Sequence, residues 1–217
     1  MTKIILFDFW GTVMENGVWS PIKQVKNILQ IPLPFPDYVQ RMESVFMTKA
    51  FPTLREAFQG LCQEFAVPCT DEQLDQLIGV WNKNWMLARP FLDLQNALEQ
   101  LKEKYTLVLI SNTDCFSVGK SLEKHPGLQA LFHQHFFSHE LGLLKTDPGF
   151  FEQVLKALRA KKEECVLIGD SVESDMLAAQ KAGIRGILID RRRSRDWPIK
   201  ISSLKELGPF LEQEELL

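Results

Sequence analysis

The sequence predicts an α/β fold with a five-stranded parallel sheet and a helical segment inserted after the first strand. From residue 89 onward, short apolar runs alternate with helical patterns, which is typical of parallel strands joined by helical crossovers. Residues 21–86 show no strand-like alternation and carry four amphipathic patterns instead. With 217 residues, 45% of them hydrophobic, the chain is long enough for one large domain with a smaller insertion.

The first predicted strand covers residues 4–7, an apolar run that ends at Asp8 and is followed by a turn at Gly11. Four later apolar runs predict strands at 106–110, 135–138, 165–168 and 186–189. The helical patterns of this half of the chain cover residues 94–104, 116–123, 148–158 and 174–182. Each crossover between parallel strands should be right-handed.

Four helices are predicted between the first two strands. One begins after Ser20 with a proline in its first turn and covers residues 21–30, and two more cover 36–49 and 53–65. The fourth opens with the capping-box pair Thr70 and Gln73 and reaches about residue 86. We call residues 15–87 the helical insert, and we expect residues 1–14 and 88–217 to form the core around the sheet.

Composition narrows the classes of partner. The formal net charge of −3 gives no basic excess for nucleic acid or a membrane surface, so a small molecule is the expected partner. There is no secretory signal pattern and no apolar run of membrane-spanning length, which predicts a cytoplasmic protein. The four cysteines lack metal-ligand spacing and are interpreted as reduced thiols. A monomer and a homodimer are equally compatible with the sequence.

Polar side chains follow the predicted strands at the edge where a parallel sheet binds ligands. Crowding carboxylates, a lysine and a hydroxyl at one edge is costly unless a metal and an anion balance their charges. Each residue alone could be a turn, cap or surface residue, but together they predict a site. The residues are Asp8, Ser111, Asn112, Lys145, Asp170 and Asp175.

This order of motifs resembles the haloacid dehalogenase-like (HAD) superfamily of hydrolases over essentially the whole chain. Residues 8–13 are similar to its first motif, Ser111 to its second, Lys145 to its third and residues 169–175 to its fourth. The resemblance implies a Rossmann-like sheet with the strand order 3-2-1-4-5. It also implies that the helical insert is the helical cap that covers the active site in this family.

The resemblance further implies a role for each motif. Asp8 would be the nucleophile that forms an aspartyl intermediate. In the phosphatase branch, Mg²⁺ would be bound by Asp8, by Asp170 and by the backbone carbonyl of Trp10. The substrate's phosphoryl oxygens would be bound by Thr12, Ser111, Asn112 and Lys145, and Asp175 would orient Lys145 or a metal-bound water.

Trp10 departs from the phosphatase pattern, in which a second aspartate two residues after the nucleophile serves as acid and base. Loss of a positioned proton donor typically costs about 10²- to 10⁴-fold in rate. The sequence therefore leaves three hypotheses open. They are a Mg²⁺-dependent phosphatase restricted to activated phosphates, a metal-independent 2-haloacid dehalogenase, whose branch has an aromatic residue here, and a catalytically weak phosphate- and metal-binding protein.

The repulsion between Asp8 and Asp170 favours the phosphatase hypothesis, because a bound cation would offset it. The remaining expectations concern the surroundings of the site. Glu15 or a residue of the helical insert could replace the missing proton donor. Trp19, Phe46 and Trp85 are candidates for substrate specificity, and the arginines of residues 191–195 are interpreted as a solvated loop.

Overall fold

The computed structural model describes residues 2–15 and 20–215. Within these ranges, six strands form one parallel sheet in the order β3-β2-β1-β4-β5-β6. They are β1 (Ile4–Asp8), β2 (Thr106–Ser111), β3 (Gln134–Phe137), β4 (Cys165–Gly169), β5 (Arg185–Ile189) and β6 (Lys200–Ile201). The predicted α/β class and the order of the first five strands are confirmed.

The sixth strand was not predicted, and it corrects the expected count of five. β6 has two residues and pairs with Leu188 and Ile189 at the edge of the sheet. So short a segment, which follows Pro198 closely, has no alternation or apolar run that a sequence pattern could reveal. It extends the edge farthest from β3 and leaves β1 in the interior of the sheet.

β1 lies between β2 and β4 and is covered on both faces. Ile5 and Phe7 point into one apolar cluster, whereas Leu6 points into the other, as the two-residue period of a strand requires. Because both faces are buried, the strand is an uninterrupted apolar run rather than an alternating one. Asp8 is therefore the first polar side chain of β1 and lies at its carboxyl end, opposite Ile110.

The helical insert contains four helices in its described part. They are α1 (Pro21–Ile28), α2 (Phe35–Phe46), α3 (Leu54–Glu64) and α4 (Asp71–Leu87). The predicted capping box of α4 is present: the Thr70 hydroxyl accepts from the Gln73 backbone N–H at 3.2 Å, and the Gln73 side chain accepts from the Thr70 N–H at 3.0 Å. Ser20 caps α1 in the same way, accepting from Lys23.

The four helices enclose an apolar core that is separate from the two clusters on the faces of the sheet. Phe46 lies at its centre, with ring centroids 4.9 Å from Phe58 and 4.8 Å from Trp81. Leu144, from the loop that carries Lys145, also belongs to this cluster. The insert is therefore held by its own packing and meets the core next to a predicted site residue.

Helices of the core cover both faces of the sheet. They are α5 (Leu94–Leu101), α6 (Ser117–Lys124), α7 (Pro126–Gln129), α8 (Ser138–Leu141), α9 (Pro148–Leu158), α10 (Leu177–Ala182) and α11 (Leu207–Glu215). The helix predicted from residue 174 differs at its start, because a π-helical turn, Val172–Met176, precedes α10. None of the helices in residues 2–15 and 20–215 combines the length and apolarity needed to cross a bilayer.

Candidate active site

A buried group of charged side chains lies at the carboxyl edge of the sheet. The ammonium group of Lys145 lies 2.6 Å from the Oδ1 atom of Asp8 and also donates to the Oδ1 atom of Asp175. These three residues are 3%, 4% and 1% exposed, respectively. The third and fourth predicted motifs thus meet the end of β1, although more than 130 residues separate Asp8 from Lys145.

The charges in this group shift one another's pKa values. Burial alone would lower the pKa of Lys145, but the charges of Asp175 and Asp8 raise it above its ordinary value, so the lysine keeps its proton. Burial raises the pKa of Asp8, against the opposing effect of Lys145, and the nearby carboxylates of Asp175 and Asp170 raise it further. An additional cation beside these carboxylates would favour their ionised forms.

The carboxylates fit a divalent cation. One oxygen from each of Asp8, Asp170 and Asp175 lies within 4.8 Å of the others, and carboxylate oxygens are the ligands that Mg²⁺ prefers. Gly11 lets the loop after β1 approach them closely, since its φ is +87° and a Cβ atom there would lie 2.5 Å from the carboxyl group of Asp170. Participation of the Trp10 carbonyl stays a prediction.

Asp175 owes its position to the π-helical turn and to a glycine. Its Oδ2 atom accepts from the backbone N–H of Ser171 at 3.0 Å, while its Oδ1 atom binds Lys145. A Cβ atom at Gly169 would lie only 2.4 Å from its carboxyl carbon. The glycine at the end of β4 therefore leaves the space in which the Asp175 carboxylate reaches the lysine.

Asn112 connects the Lys145 loop with the helical insert. Its Oδ1 atom accepts from the backbone N–H of Lys145 at 2.8 Å, and its Nδ2 atom donates to Glu43 on α2 at 2.9 Å. The hydroxyl of Ser111 donates to the Asn112 carbonyl at 3.3 Å. These two hydrogen bonds hold both ends of the Asn112 side-chain amide. The Ser111 hydroxyl, in contrast, bonds to the backbone of the next residue.

The Trp10 side chain makes contacts on two sides. Its indole N–H donates to the Thr113 hydroxyl at 3.1 Å, and its ring packs edge-on against Phe9 with centroids 4.8 Å apart. An indole N–H is a donor with no useful acidity in water. The position two residues after Asp8 therefore offers no group for acid–base catalysis.

The site opens into a cavity of about 200 Å³ between the core and the helical insert. Its walls come from both parts of the chain. The core contributes Asp8, Trp10, Asn112, Asp114, Ser117, Lys145, Asp170 and Ser174, and the insert contributes Ser20, Pro21, Ile22, Glu43, Met47, Trp81 and Asn84.

Two predicted phosphate-binding residues do not line this cavity. The Thr12 side chain is fully buried, and its hydroxyl has no hydrogen-bond partner among the described residues. Ser111 is also buried and is absent from the cavity wall, although the next residue, Asn112, lines it. The other predicted residues, Asn112 and Lys145, do line it.

A family comparison agrees with this arrangement of motifs. Residues 2–183 match the family model described as haloacid dehalogenase-like hydrolase. The chain belongs to this family. The HAD resemblance predicted from the motifs is thereby confirmed, and the match extends from β1 through the fourth motif to α10.

Individual HAD relatives come from both branches. The chain is 32% identical over 120 residues to glyceraldehyde 3-phosphate phosphatase of Methanothermobacter thermautotrophicus, an alignment that covers 52% of this chain and 50% of the relative. The chain thus spans about half the length of this curated relative. A 2-haloacid dehalogenase from Pseudomonas syringae has a similar structure, with a TM-score of 0.67 and 21% identity over 98% of this chain and 99% of that one.

A HAD phosphatase from Thermococcus onnurineus has a comparable TM-score of 0.63 at 20% identity, covering 97% of this chain and 98% of that one. At these identities the two structural likenesses show the HAD fold alone. Because one of the two structures is a dehalogenase and the other a phosphatase, they do not choose between the two reactions. The choice has to come from the chemistry of the site.

Two residues near the HAD motifs were not recognised in the sequence. Glu43 enters the cavity from the helical insert, and Arg195 pairs with the Oδ2 atom of Asp170 at 3.2 Å. Residues 192–195 are exposed, as expected of a solvated loop, whereas Arg191 is partly buried. Arg191 also pairs with Asp93 at 2.9 Å and covers the Phe91 ring at 3.7 Å from its centroid. The sequence did indicate that this loop lies near the site, because the loop follows β5 at the same edge of the sheet as the other motifs.

The remaining expectations about the insert have mixed outcomes. Trp19 lies outside the described residues. Phe46 is in the apolar core of the insert, and Trp85 donates its indole N–H to Asn82 at 2.9 Å; neither lines the cavity. Glu15 is exposed and does not line it either, which leaves Glu43 as the acidic residue that the insert contributes.

Proposed function

We propose that this HAD hydrolase is a Mg²⁺-dependent phosphatase that acts on small phosphorylated molecules through an aspartyl intermediate on Asp8. The observation that carries this proposal is the group of three carboxylates around one buried lysine. Lys145 and Arg195 supply two positive charges to this group, so a further cation is needed to offset the third carboxylate. The phosphatase name of the Methanothermobacter relative supports the same substrate class.

The charge of the cavity favours this reaction over metal-independent dehalogenation. Of the described residues that line it, four are acidic, whereas Lys145 is the single basic one and is already paired with Asp8. The substrates of both reactions are anions. A 2-haloacid would enter this negative cavity without a metal to balance it, whereas a phosphate ester would enter a cavity that already holds Mg²⁺.

The proposed mechanism begins with Asp8, Asp170 and the Trp10 carbonyl as the residues that would hold the ion. When bound, Mg²⁺ supplies positive charge to the phosphoryl oxygens. An Asp8 carboxylate oxygen attacks phosphorus, and the bond from phosphorus to the leaving oxygen breaks. Lys145 donates to the transferring group, while Asp175 keeps the ammonium in position. Water then cleaves the aspartyl phosphate and releases phosphate and free Asp8.

Trp10 determines which esters react well. The first motif offers no acid to protonate the leaving oxygen, so the rate should depend strongly on how stable the departing group is as an anion. Aryl and acyl phosphates release stabilised anions and need little protonation. We therefore expect these esters to be hydrolysed faster than alkyl phosphates.

The test compares p-nitrophenyl phosphate and acetyl phosphate with glycerol phosphate, with Mg²⁺ and with EDTA. We expect turnover with Mg²⁺, faster on the first two esters, and loss of turnover in EDTA. Halide release from 2-chloropropionate in EDTA would instead support the dehalogenase. Binding of Mg²⁺ and inorganic phosphate without turnover of any ester would support the weak binding protein.

A further inference from the structure

Glu43 is the acidic side chain that α2 of the helical insert directs toward the nucleophile's cavity. It lies four residues after Val39 and four before Met47, so it falls within the half of the helix that faces inward. It lines the same cavity as Asp8 and Trp10, and its Oε2 atom accepts from Asn112 at 2.9 Å. The mechanism proposed above does not use this carboxyl group.

The other acids that line the cavity are held by several partners or have another proposed role, whereas Glu43 accepts from Asn112 through one of its two oxygens. Asp114 accepts from the Trp81 indole at 3.1 Å and from the backbone N–H groups of Phe116 and Ser117 at 2.9 Å each. Asp170 is paired with Arg195 and belongs to the metal-binding group. Asp8 is the nucleophile. This leaves Glu43 as the cavity carboxyl group that can hold and release a proton.

The hydrogen bonds of Asn112 show which oxygen would carry that proton. Because the Asn112 Oδ1 atom accepts from the Lys145 backbone N–H, its Nδ2 group must be the one that faces Glu43. The Oε2 atom of Glu43 is therefore an acceptor, which suits the carbonyl oxygen of a protonated carboxyl group. A proton on Oε1 would be compatible with this bond.

We propose that Glu43 is the general acid and base that replaces the aspartate missing at Trp10, an inference that rests on the proposed phosphatase function. As Asp8 attacks phosphorus, the Glu43 Oε1–H group gives its proton to the leaving oxygen, which departs as an alcohol. The Glu43 carboxylate then takes a proton from the water that attacks the aspartyl phosphate. The bond from phosphorus to Asp8 breaks, and Glu43 is protonated again.

The surroundings of Glu43 raise the pKa of its carboxyl group. Burial raises the pKa of Glu43, and the charge of Asp175 raises it further. The hydrogen bond from Asn112 and the charge of Lys145 lower this pKa, but the net shift is upward. A glutamate with a raised pKa keeps its proton at pH values where an exposed glutamate has lost it. It can therefore act as an acid closer to neutral pH.

The decisive variant is Glu43→Gln, because glutamine can still accept from Asn112 but cannot donate an acidic proton. For glycerol phosphate we expect kcat/KM to fall by about 10²- to 10⁴-fold. For p-nitrophenyl phosphate we expect kcat/KM to change by less than about threefold, because nitrophenolate leaves without a proton. Its kcat should fall, with a burst of nitrophenolate, since the second step still needs the base.

Two further measurements separate acid catalysis from a structural effect. Asp37→Asn removes one carboxylate from the exposed start of the same helix and should leave both substrates unaffected. Trp10→Asp, introduced together with Glu43→Gln, should restore part of the glycerol phosphate activity, because it supplies an acid from the first motif. The alkaline decrease of kcat/KM for glycerol phosphate should disappear in Glu43→Gln.

Several outcomes would overturn the inference. Equal losses on both esters would indicate a role in binding or folding, and no loss on glycerol phosphate would exclude Glu43 as the acid. A wild-type protein that hydrolyses p-nitrophenyl phosphate but no glycerol phosphate would also exclude it, while the phosphatase proposal would stand. Failure to hydrolyse either ester with Mg²⁺ would instead refute the phosphatase proposal itself.

Discussion

The sheet edge and the helical insert contribute to the cavity in different ways. At the sheet edge, Asp8 ends β1 and Asp170 follows the adjacent strand β4, and Lys145 joins Asp8 to Asp175 through buried ion pairs. The insert reaches the same cavity through side chains of helices that pack around their own apolar core. We therefore propose that attack on the substrate depends on residues of the sheet edge. Proton transfer would depend on the helical insert, which has a separate apolar core.

The largest effect should come from the sheet edge. Asp8→Asn keeps the shape of the side chain and an oxygen that can accept from Lys145, but it removes the proposed nucleophile. We expect turnover of p-nitrophenyl phosphate to fall by at least about 10⁴-fold, while the circular dichroism spectrum stays unchanged. A loss of less than tenfold would show that Asp8 is not the nucleophile. The proposed division of roles between the sheet edge and the helical insert would then be wrong.

A second prediction concerns the contact by which the insert meets the core. Trp81→Phe keeps the ring in the apolar core of the insert but removes the hydrogen bond to the buried carboxylate of Asp114. We expect the free energy of unfolding to fall by about 1.5–3 kcal/mol in denaturant titrations. The matched variant Trp85→Phe, which loses a bond to Asn82 on the same helix, should cost no more than about 1.5 kcal/mol. Equal losses would show that the contact with the core has no special importance.

The smallest predicted effects come from two glycines. A methyl group at Gly11 would press on the Asp170 carboxyl group, so Gly11→Ala should weaken Mg²⁺ binding by about 10- to 100-fold in calorimetry. Gly79 lies within α4 with no heavy atom within 4 Å of the position that a methyl group would take, and Gly79→Ala should stabilise the insert by about 0.5–1 kcal/mol without changing Mg²⁺ binding. Unchanged Mg²⁺ affinity in Gly11→Ala would argue against Asp170 as a ligand.

The sequence predicted the sheet edge better than the insert's share of the cavity. Apolar runs mark buried strands locally, and parallel strands bring their carboxyl ends together, so Asp8, Lys145 and Asp170 could be assigned to one site from the sequence alone. The helices of the insert were also predicted, with ends that differ by a few residues, because caps and amphipathic periods are local signals.

The part that could not be predicted depends on packing between distant segments. Glu43 reaches Asn112 only because α2 packs against the loop after β2, and no local pattern specifies that contact. The period of α2 places Glu43 between Val39 and Met47, which indicates an inward position but not its neighbours. Arg195 was missed for a related reason, since a charged run usually lies in solvent and its partner Asp170 is 25 residues away.

The pairing of Lys145 with Asp8 and Asp175 has a consequence for the order in which ligands bind. With Asp170 and its partner Arg195, the ionised group has three carboxylates and two cationic side chains, a net charge of minus one that a Mg²⁺ ion would make positive. A phosphate ester that arrives first meets repulsion, whereas one that arrives second meets a positively charged site. We therefore expect ordered kinetics, with the cation binding before the ester and leaving after the product.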